Sequence, residues 1–370
     1  MCICILFQLP FASLGQDPSF SQFYANRIYL NPAFTGIEGG ITASGTARIQ
    51  WVSVDKGFST YDFTIETQLP VVKVGLGLHL MRDVEGIANL VTNQAGLVFS
   101  YTIPGKNNNI HFGMEARIVQ RAIDWDKLVF SDELDKVYGR IYPTSMLAVL
   151  DNVRFGDLDF GIVWRNVGGI KIANSGSRKV RSHLGISIHH LPGLFSQSAE
   201  GNDSFLNTGG QIAPRITLHG GMILPITFFQ GSGMDISISP NFKLDNQGYR
   251  FLNFEHNMTV GTLGLYGLVN HFYLGLLYQN RVFAPNRIHT DAFILSIGGY
   301  ANTNKKNKTD MGNLFFGLSV DLNTSGLGTA AGSVFELTFR YRFVRNLGLA
   351  GKTRKGNRSS KRILDCKSFF

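Results

Sequence analysis

The stretch "STYDFTIETQL", residues 59–69, places Tyr61, Phe63, Ile65 and Leu69 on one side of an extended chain and Asp62, Thr64, Glu66 and Gln68 on the other. Successive side chains of a strand point to opposite faces, so this period of two reads as a β-strand with one apolar and one polar face. The neighbouring "VVKVGLGLHLM" (71–81) sets Val72, Val74, Leu76, Leu78 and Leu80 against Lys73, Gly75, Gly77 and His79. In "IHFGMEARIV" (110–119), Ile110, Phe112, Met114 and Ile118 oppose His111, Gly113, Glu115 and Arg117. "SHLGISIHHL" and "GMDISISP" repeat the scheme, and "VFELTFRYRF" (334–343) ends it with Phe335, Leu337, Phe339, Tyr341 and Phe343 opposite Glu336, Thr338, Arg340 and Arg342.

A soluble sandwich with one wet face also alternates. Here the apolar faces run longer than soluble strands need, and the polar faces are rich in Gly, Ser and Thr, as a lumen would be. The composition agrees. The chain has 42 Gly, 29 Phe and 12 Tyr but only 16% charged residues, where soluble proteins carry about 25%. No long uninterrupted apolar run suggests a membrane helix. The expected fold is all-β: a transmembrane antiparallel β-barrel of about 14 strands (14–16) in an outer membrane, spanning residues 40–343. The Gly-rich segment "GTLGLYGLVNHFYLGLLYQN" leaves the count open, and longer connections are expected at 123–141, 167–180, 191–210 and 303–313.

Residues 1–15, "MCICILFQLPFASLG", read as a signal peptide whose small residues precede Gln16, although a basic start is missing. Cys2 and Cys4 lie within it, so a processed chain keeps Cys366 alone and makes no internal disulfide. The net charge of +9 gathers in the tail, 344–370, where residues 351–370 hold seven basic side chains against Asp365. A basic tail without an aromatic platform does not make a nucleic-acid site, and no nucleic-acid partner is expected. Lipid head groups, peptidoglycan or an acidic protein fit it better.

Nothing in the sequence reads as catalytic machinery. The Gly-x-Ser-x-Gly and His-Glu-x-x-His motifs are missing, and His189 and His190 are expected on opposite faces of a strand. The acidic run Asp124, Asp126, Asp132, Glu133 and Asp135 does not have the spacing of a calcium loop and reads as a solvated loop or a partner surface. No catalytic residue, metal ligand or cofactor is assigned. The residues singled out for partner binding are Asp17, Pro18, Phe20, Phe23, Tyr24, Asn31, Pro32 and Cys366.

Most of these lie in "QDPSFSQFYANRIYLNPAFTG", residues 16–36, ahead of the first strand. The matching positions Gln16, Asp17, Pro18, Phe20, Ser21, Gln22, Phe23 and Tyr24, then Tyr29, Leu30, Asn31, Pro32, Ala33 and Gly36, resemble the start of mature PorP/SprF-family proteins of the type IX secretion system of Bacteroidetes. "IDWDKLVFSDELD", "HLGISIHHL", "VFELTFRYRF" and a basic tail with a late Cys are similar too, while "DCKSFF" lacks the Cys-Pro of many relatives.

The resemblance implies a non-enzymatic outer-membrane barrel. It would assist secretion or surface attachment of type IX cargo such as gliding adhesins, with secreted surface proteins, periplasmic secretion components and outer-membrane lipid as partners. The alternative from the residues is a porin-like channel for small solutes; a hydrolase would need a lumen His beside a Ser and a carboxylate. Residues 16–39 are expected as a periplasmic segment that packs on the barrel mouth or enters the lumen, as a plug or as a docking strip. An even strand number predicts both termini on the periplasmic side.

Overall fold

The computed structural model describes residues 17–54, 56–86, 89–144, 150–166, 180–195, 212–226, 236–249, 257–281, 289–301, 314–324 and 332–343. The signal segment, the tail and Cys366 lie outside the described residues. So do most of the connections expected at 167–180, 191–210 and 303–313.

Fourteen antiparallel strands close on themselves. In chain order they are β1 (Ile41–Gln50), β2 (Phe58–Leu69), β3 (Val74–Glu85), β4 (Leu90–Pro104) and β5 (Asn108–Ala122), then β8 (Asn152–Asn166), β9 (Arg181–His189), β10 (Arg215–Ile226), β11 (Ile236–Gln247) and β12 (Met258–Val269), and finally β13 (Phe272–Arg281), β14 (His289–Ala301), β15 (Leu314–Asn323) and β16 (Val334–Phe343). Two short strands, β6 (Leu134–Asp135) and β7 (Gly139–Arg140), form a separate hairpin within the connection from β5 to β8. That connection runs to residue 151, beyond the expected 141. The Gly-rich stretch resolves into the β12–β13 hairpin, turning at Asn270 and His271.

The two faces fall as the alternation requires. Phe63, Ile65, Leu76, Leu78 and Leu80 are exposed on the outer face, as are Phe335, Leu337 and Phe339, whereas Asp62, Glu66, His79, Glu115 and Glu336 are buried inside. Val72 belongs to the turn between β2 and β3 rather than to a strand face. Closure leaves no unpaired strand edge, which a hydrocarbon surround could not hydrogen-bond.

Ile41, which begins β1, pairs with Phe343, which ends β16, so both strand ends lie at one end of the barrel, here called proximal. Strand direction alternates around the barrel, so Arg215 at the start of β10 and its partner Gln247 at the end of β11 lie at the other, distal end.

The segment ahead of β1 does not stay at the proximal mouth. Asp17 donates its backbone N–H to Gln247 and pairs with Arg215, both distal. The chain then descends to Tyr24, which meets Tyr273 at the proximal start of β13, and turns back through α1 (Arg27–Leu30). Tyr29 lies under Arg215, and a 3-10 turn at Pro32–Phe34 leads down to Gly36 and into β1. Residues 20–37 are buried without exception. The parity of the strands therefore locates Ile41 and Phe343 together, but Asp17 lies at the opposite end, because its segment threads the lumen.

Candidate functional site

The lumen and the segment inside it make one site. A chain that is neither helix nor strand leaves its backbone donors and acceptors unpaired, and each buried orphan costs about 1–3 kcal/mol. Strand side chains supply the partners. The two carboxylate oxygens of Glu336 accept the consecutive backbone N–H groups of Ser21 and Gln22, at 2.7 and 2.8 Å. Glu66 accepts the N–H of Gly36 at 2.6 Å. Ser100 donates to the carbonyl of Thr35 at 2.7 Å, and Ser187 to that of Leu30 at 2.8 Å. These polar residues occupy every second position of their strands, so the lumen face of the alternation is a receptor for a polypeptide backbone.

The predicted partner-binding residues that lie within the described range come together here. Phe20 packs edge-on to Tyr29 at 5.0 Å between ring centroids and shares a buried cluster with Met81. The hydroxyl of Tyr24 lies 3.1 Å from those of Tyr273 and Ser296, and its ring is 4.6 Å from that of Tyr266. Phe23 lies beneath the ammonium of Lys243, and the Pro18 carbonyl accepts from the hydroxyl of Tyr29.

Asn31 donates to the carbonyls of Ile186 and Ile162 at 3.0 and 3.3 Å, while its side-chain oxygen accepts from the N–H of Ala33 at 2.9 Å and starts the 3-10 turn. Pro32 follows at the first position of that turn, where its missing N–H leaves nothing unsatisfied. The turn rests on two glycines, Gly113 and Gly161, which are direct partners across β5 and β8. A Cβ on Gly113 would lie 2.1 Å from the nitrogen of Ala33, and one on Gly161 2.0 Å from the Asn31 side-chain oxygen. Only glycine permits so close an approach.

Buried charges are paired at several places in the lumen. At the seam where β16 meets β1, Arg48 bridges Glu336 and Asp321 at 3.1 and 3.0 Å, and Ser21 donates to Asp321. Lower down, Glu38 pairs with Arg27 and lies 3.5 Å from Arg340. Burial acts to raise the Glu38 carboxyl, but the two guanidinium groups outweigh it and bring it down to about 2.

At the distal end, His190 Nε2 lies 2.8 Å from Asp17 and its Nδ1 2.7 Å from Asp157, while Arg215 lies 3.1 Å from Asp17. Burial disfavours charge on His190, yet these carboxylates push it up to about 9. Burial likewise works against the Asp17 carboxylate, but His190 and Arg215 hold it well below the usual range.

The histidine pair corrects an expectation. β9 ends at His189, and His190 adopts a left-handed backbone with φ 58°, which turns both rings inward. His189 Nδ1 lies 2.8 Å from Asp159 and its Nε2 3.1 Å from the Ser187 hydroxyl. This is the constellation a hydrolase would require. Here it is enclosed: Ser187 donates to Leu30, Tyr29 stacks on His189 at 6.3 Å, and both Ser187 and His189 are 1% exposed. Ser187 and His189 stand two positions apart on β9, and the fold alone brings Asp159 of β8 to them.

Solved structures match at low identity. The outer membrane protein Omp33 of Acinetobacter baumannii is 8% identical over 84% of this chain and 100% of its own, with a TM-score of 0.39. The Ralstonia pickettii toluene transporter TbuX is 8% identical over 86% and 94%, with a TM-score of 0.43. No curated protein matches. The family model described as type IX secretion system membrane protein PorP/SprF matches residues 12–341, from just ahead of Asp17 to within β16. The threaded segment and the barrel that holds it thus fall within a single match, and the chain belongs to the PorP/SprF family of type IX secretion system membrane proteins.

Proposed function

We propose that this outer-membrane barrel is a non-enzymatic component or cargo-specific partner of type IX secretion, assisting secretion or surface attachment of proteins such as gliding adhesins. The family match over residues 12–341 carries this reading. The interior supports it, since a lumen filled by the protein's own polypeptide suits protein binding better than solute passage. The enclosed Ser187 supports the non-enzymatic part.

Between the described strands, the two longest connections, 123–151 and 190–214, lie at the distal end, while those at the proximal end range from 270–271 up to 167–180. Bacterial barrels keep short turns in the periplasm and longer loops outside. On that basis the proximal end, where Phe343 ends β16, faces periplasmic secretion components, and the distal end with Asp17 faces outward toward cargo.

The test is deletion of the gene followed by surface proteomics and solute uptake. One class of surface protein should remain inside the cell while small-solute permeability stays unchanged. Normal display of all cargo would overturn the reading, and a steady current through the intact protein in planar bilayers would favour the channel.

A further inference from the structure

We infer that the distal cradle formed by Arg215 and His190 is a carboxylate-binding site for an incoming acidic peptide, occupied in this structure by the protein's own Asp17. Both cradle residues are buried, and both converge on Asp17: Arg215 Nη1 at 3.1 Å, His190 Nε2 at 2.8 and 3.0 Å from its two oxygens.

The cradle is held in shape without Asp17. His190 is oriented through its other nitrogen by Asp157 at 2.7 Å. Arg215 donates to the hydroxyl of Tyr29 at 2.7 Å and lies 4.7 Å over its ring. A site whose binding groups are fixed by a second layer of contacts keeps its geometry when the ligand leaves. Arg215 also has donor capacity to spare, since its buried Nε has no hydrogen-bond partner among the described residues.

Asp17 is well placed to leave. Its side chain is 14% exposed, more than those of His190, Asp157 and Arg215 around it. From Asp17 to Ser19 the polar contacts go to Gln247, His190, Arg215, Tyr29 and Lys243; the Glu336 clamp begins only at Ser21. Residues 17–19 can therefore lift away while residues from Ser21 onward stay docked. They cannot leave for nothing, because a buried cation stripped of its partner is strongly destabilising. Release is favourable only as an exchange of one carboxylate for another. The occupant itself, an aspartate of a polypeptide outside any helix or strand, indicates the ligand class: an acidic peptide segment arriving at the distal mouth.

The test uses the full-length protein in detergent with Cys366→Ser and an environment-sensitive fluorophore on Ser19→Cys. The probes are a blocked peptide with the sequence of residues 17–24, the same peptide with Asn in place of its Asp, and inorganic phosphate. We expect a saturable change with the Asp peptide, a response at least tenfold weaker to the other two probes, and loss of the response in Arg215→Gln. Asp17→Asn should respond at roughly tenfold lower peptide concentration. His190→Gln provides the same test if Arg215→Gln does not fold. An equal response to the Asn peptide, or no response at all, overturns the inference. An equal response to phosphate would show a plain anion site and overturn the peptide assignment. All readouts are in purified protein, so their failure is distinct from failure of the secretion role.

Discussion

Arg48 on β1 and Glu336 on β16 are direct partners across the closing seam of the barrel, with Arg48 Nη1 3.1 Å from Glu336 Oε2. The same carboxylate holds the backbone of Ser21 and Gln22, so one buried group joins first strand, last strand and threaded segment. Replacement by alanine would remove one of the two carboxylates paired with Arg48 and leave two amides unpaired. Losing one partner of a buried pair costs about 3–5 kcal/mol. Glu336→Ala should lower the unfolding temperature in detergent and abolish heat-resistant migration on gels; unchanged thermal behaviour would refute the seam role.

The glycine pair makes a sharper test because it has an internal control. Gly113→Ala places a methyl group against the nitrogen of Ala33 and should expel the Pro32 turn, opening residues 17–36 to protease. Gly156→Ala, whose Cβ would meet nothing within 4 Å, should leave digestion unchanged.

Phe20 and Tyr24 separate plug from docking strip. Both are buried inside the barrel, and aromatic-to-alanine changes in packed interiors cost about 3–5 kcal/mol. Phe20→Ala and Tyr24→Ala should each destabilise the barrel by about that much, and Tyr24→Phe by about 1 kcal/mol through its hydroxyl contacts. A barrel of full stability that fails to capture partners would instead favour docking.

The distal latch should depend on pH with a defined sign. His190 rises from 6.5 to about 9 on folding, so its contribution is complete below pH 6.5 and is lost as pH climbs through 9. Asp17 is depressed, so its contribution is present above 3.8 and is lost as pH falls through its lower folded value. Stability from this pair is therefore greatest between pH 3.8 and 6.5. The His190 part amounts to about 3 kcal/mol by linkage. Thermal melts from pH 6 to 10 should show the loss, and His190→Gln should flatten that part of the profile.

Ser187 should be chemically silent. Its hydroxyl proton is engaged by Leu30 and its surroundings admit no solvent, so a serine-directed fluorophosphonate should leave the folded protein unlabelled. Labelling that disappears in Ser187→Ala would make the Asp159–His189–Ser187 line a reactive site.

Much of the architecture was legible in the residues. Period-two alternation located strands such as Phe58–Leu69 and Val334–Phe343, and marked their lipid and lumen faces. The motif of residues 16–36 pointed to the family and singled out Phe20, Phe23, Tyr24, Asn31 and Pro32, all of which lie in the lumen site. It did not disclose Arg48, Gly113, Gly161, His190, Arg215 or Glu336. Each of these is separated from its partners by long stretches of chain, as Ser21 is from Glu336 by 315 positions. Strand parity is silent about Asp17, because it counts crossings of the wall and is blind to a segment that passes through the interior.

The sequence by itself determined that this chain makes a closed sheet with a lipid face and a polar lumen, because side-chain polarity repeats with the pleat of a strand. It also determined that residues 16–36 are a distinct element. Only the tertiary structure decided where that element lies. A non-repeating segment has no period to read, and its place depends on carboxylates, hydroxyls and bare glycines that the strands bring together across the lumen.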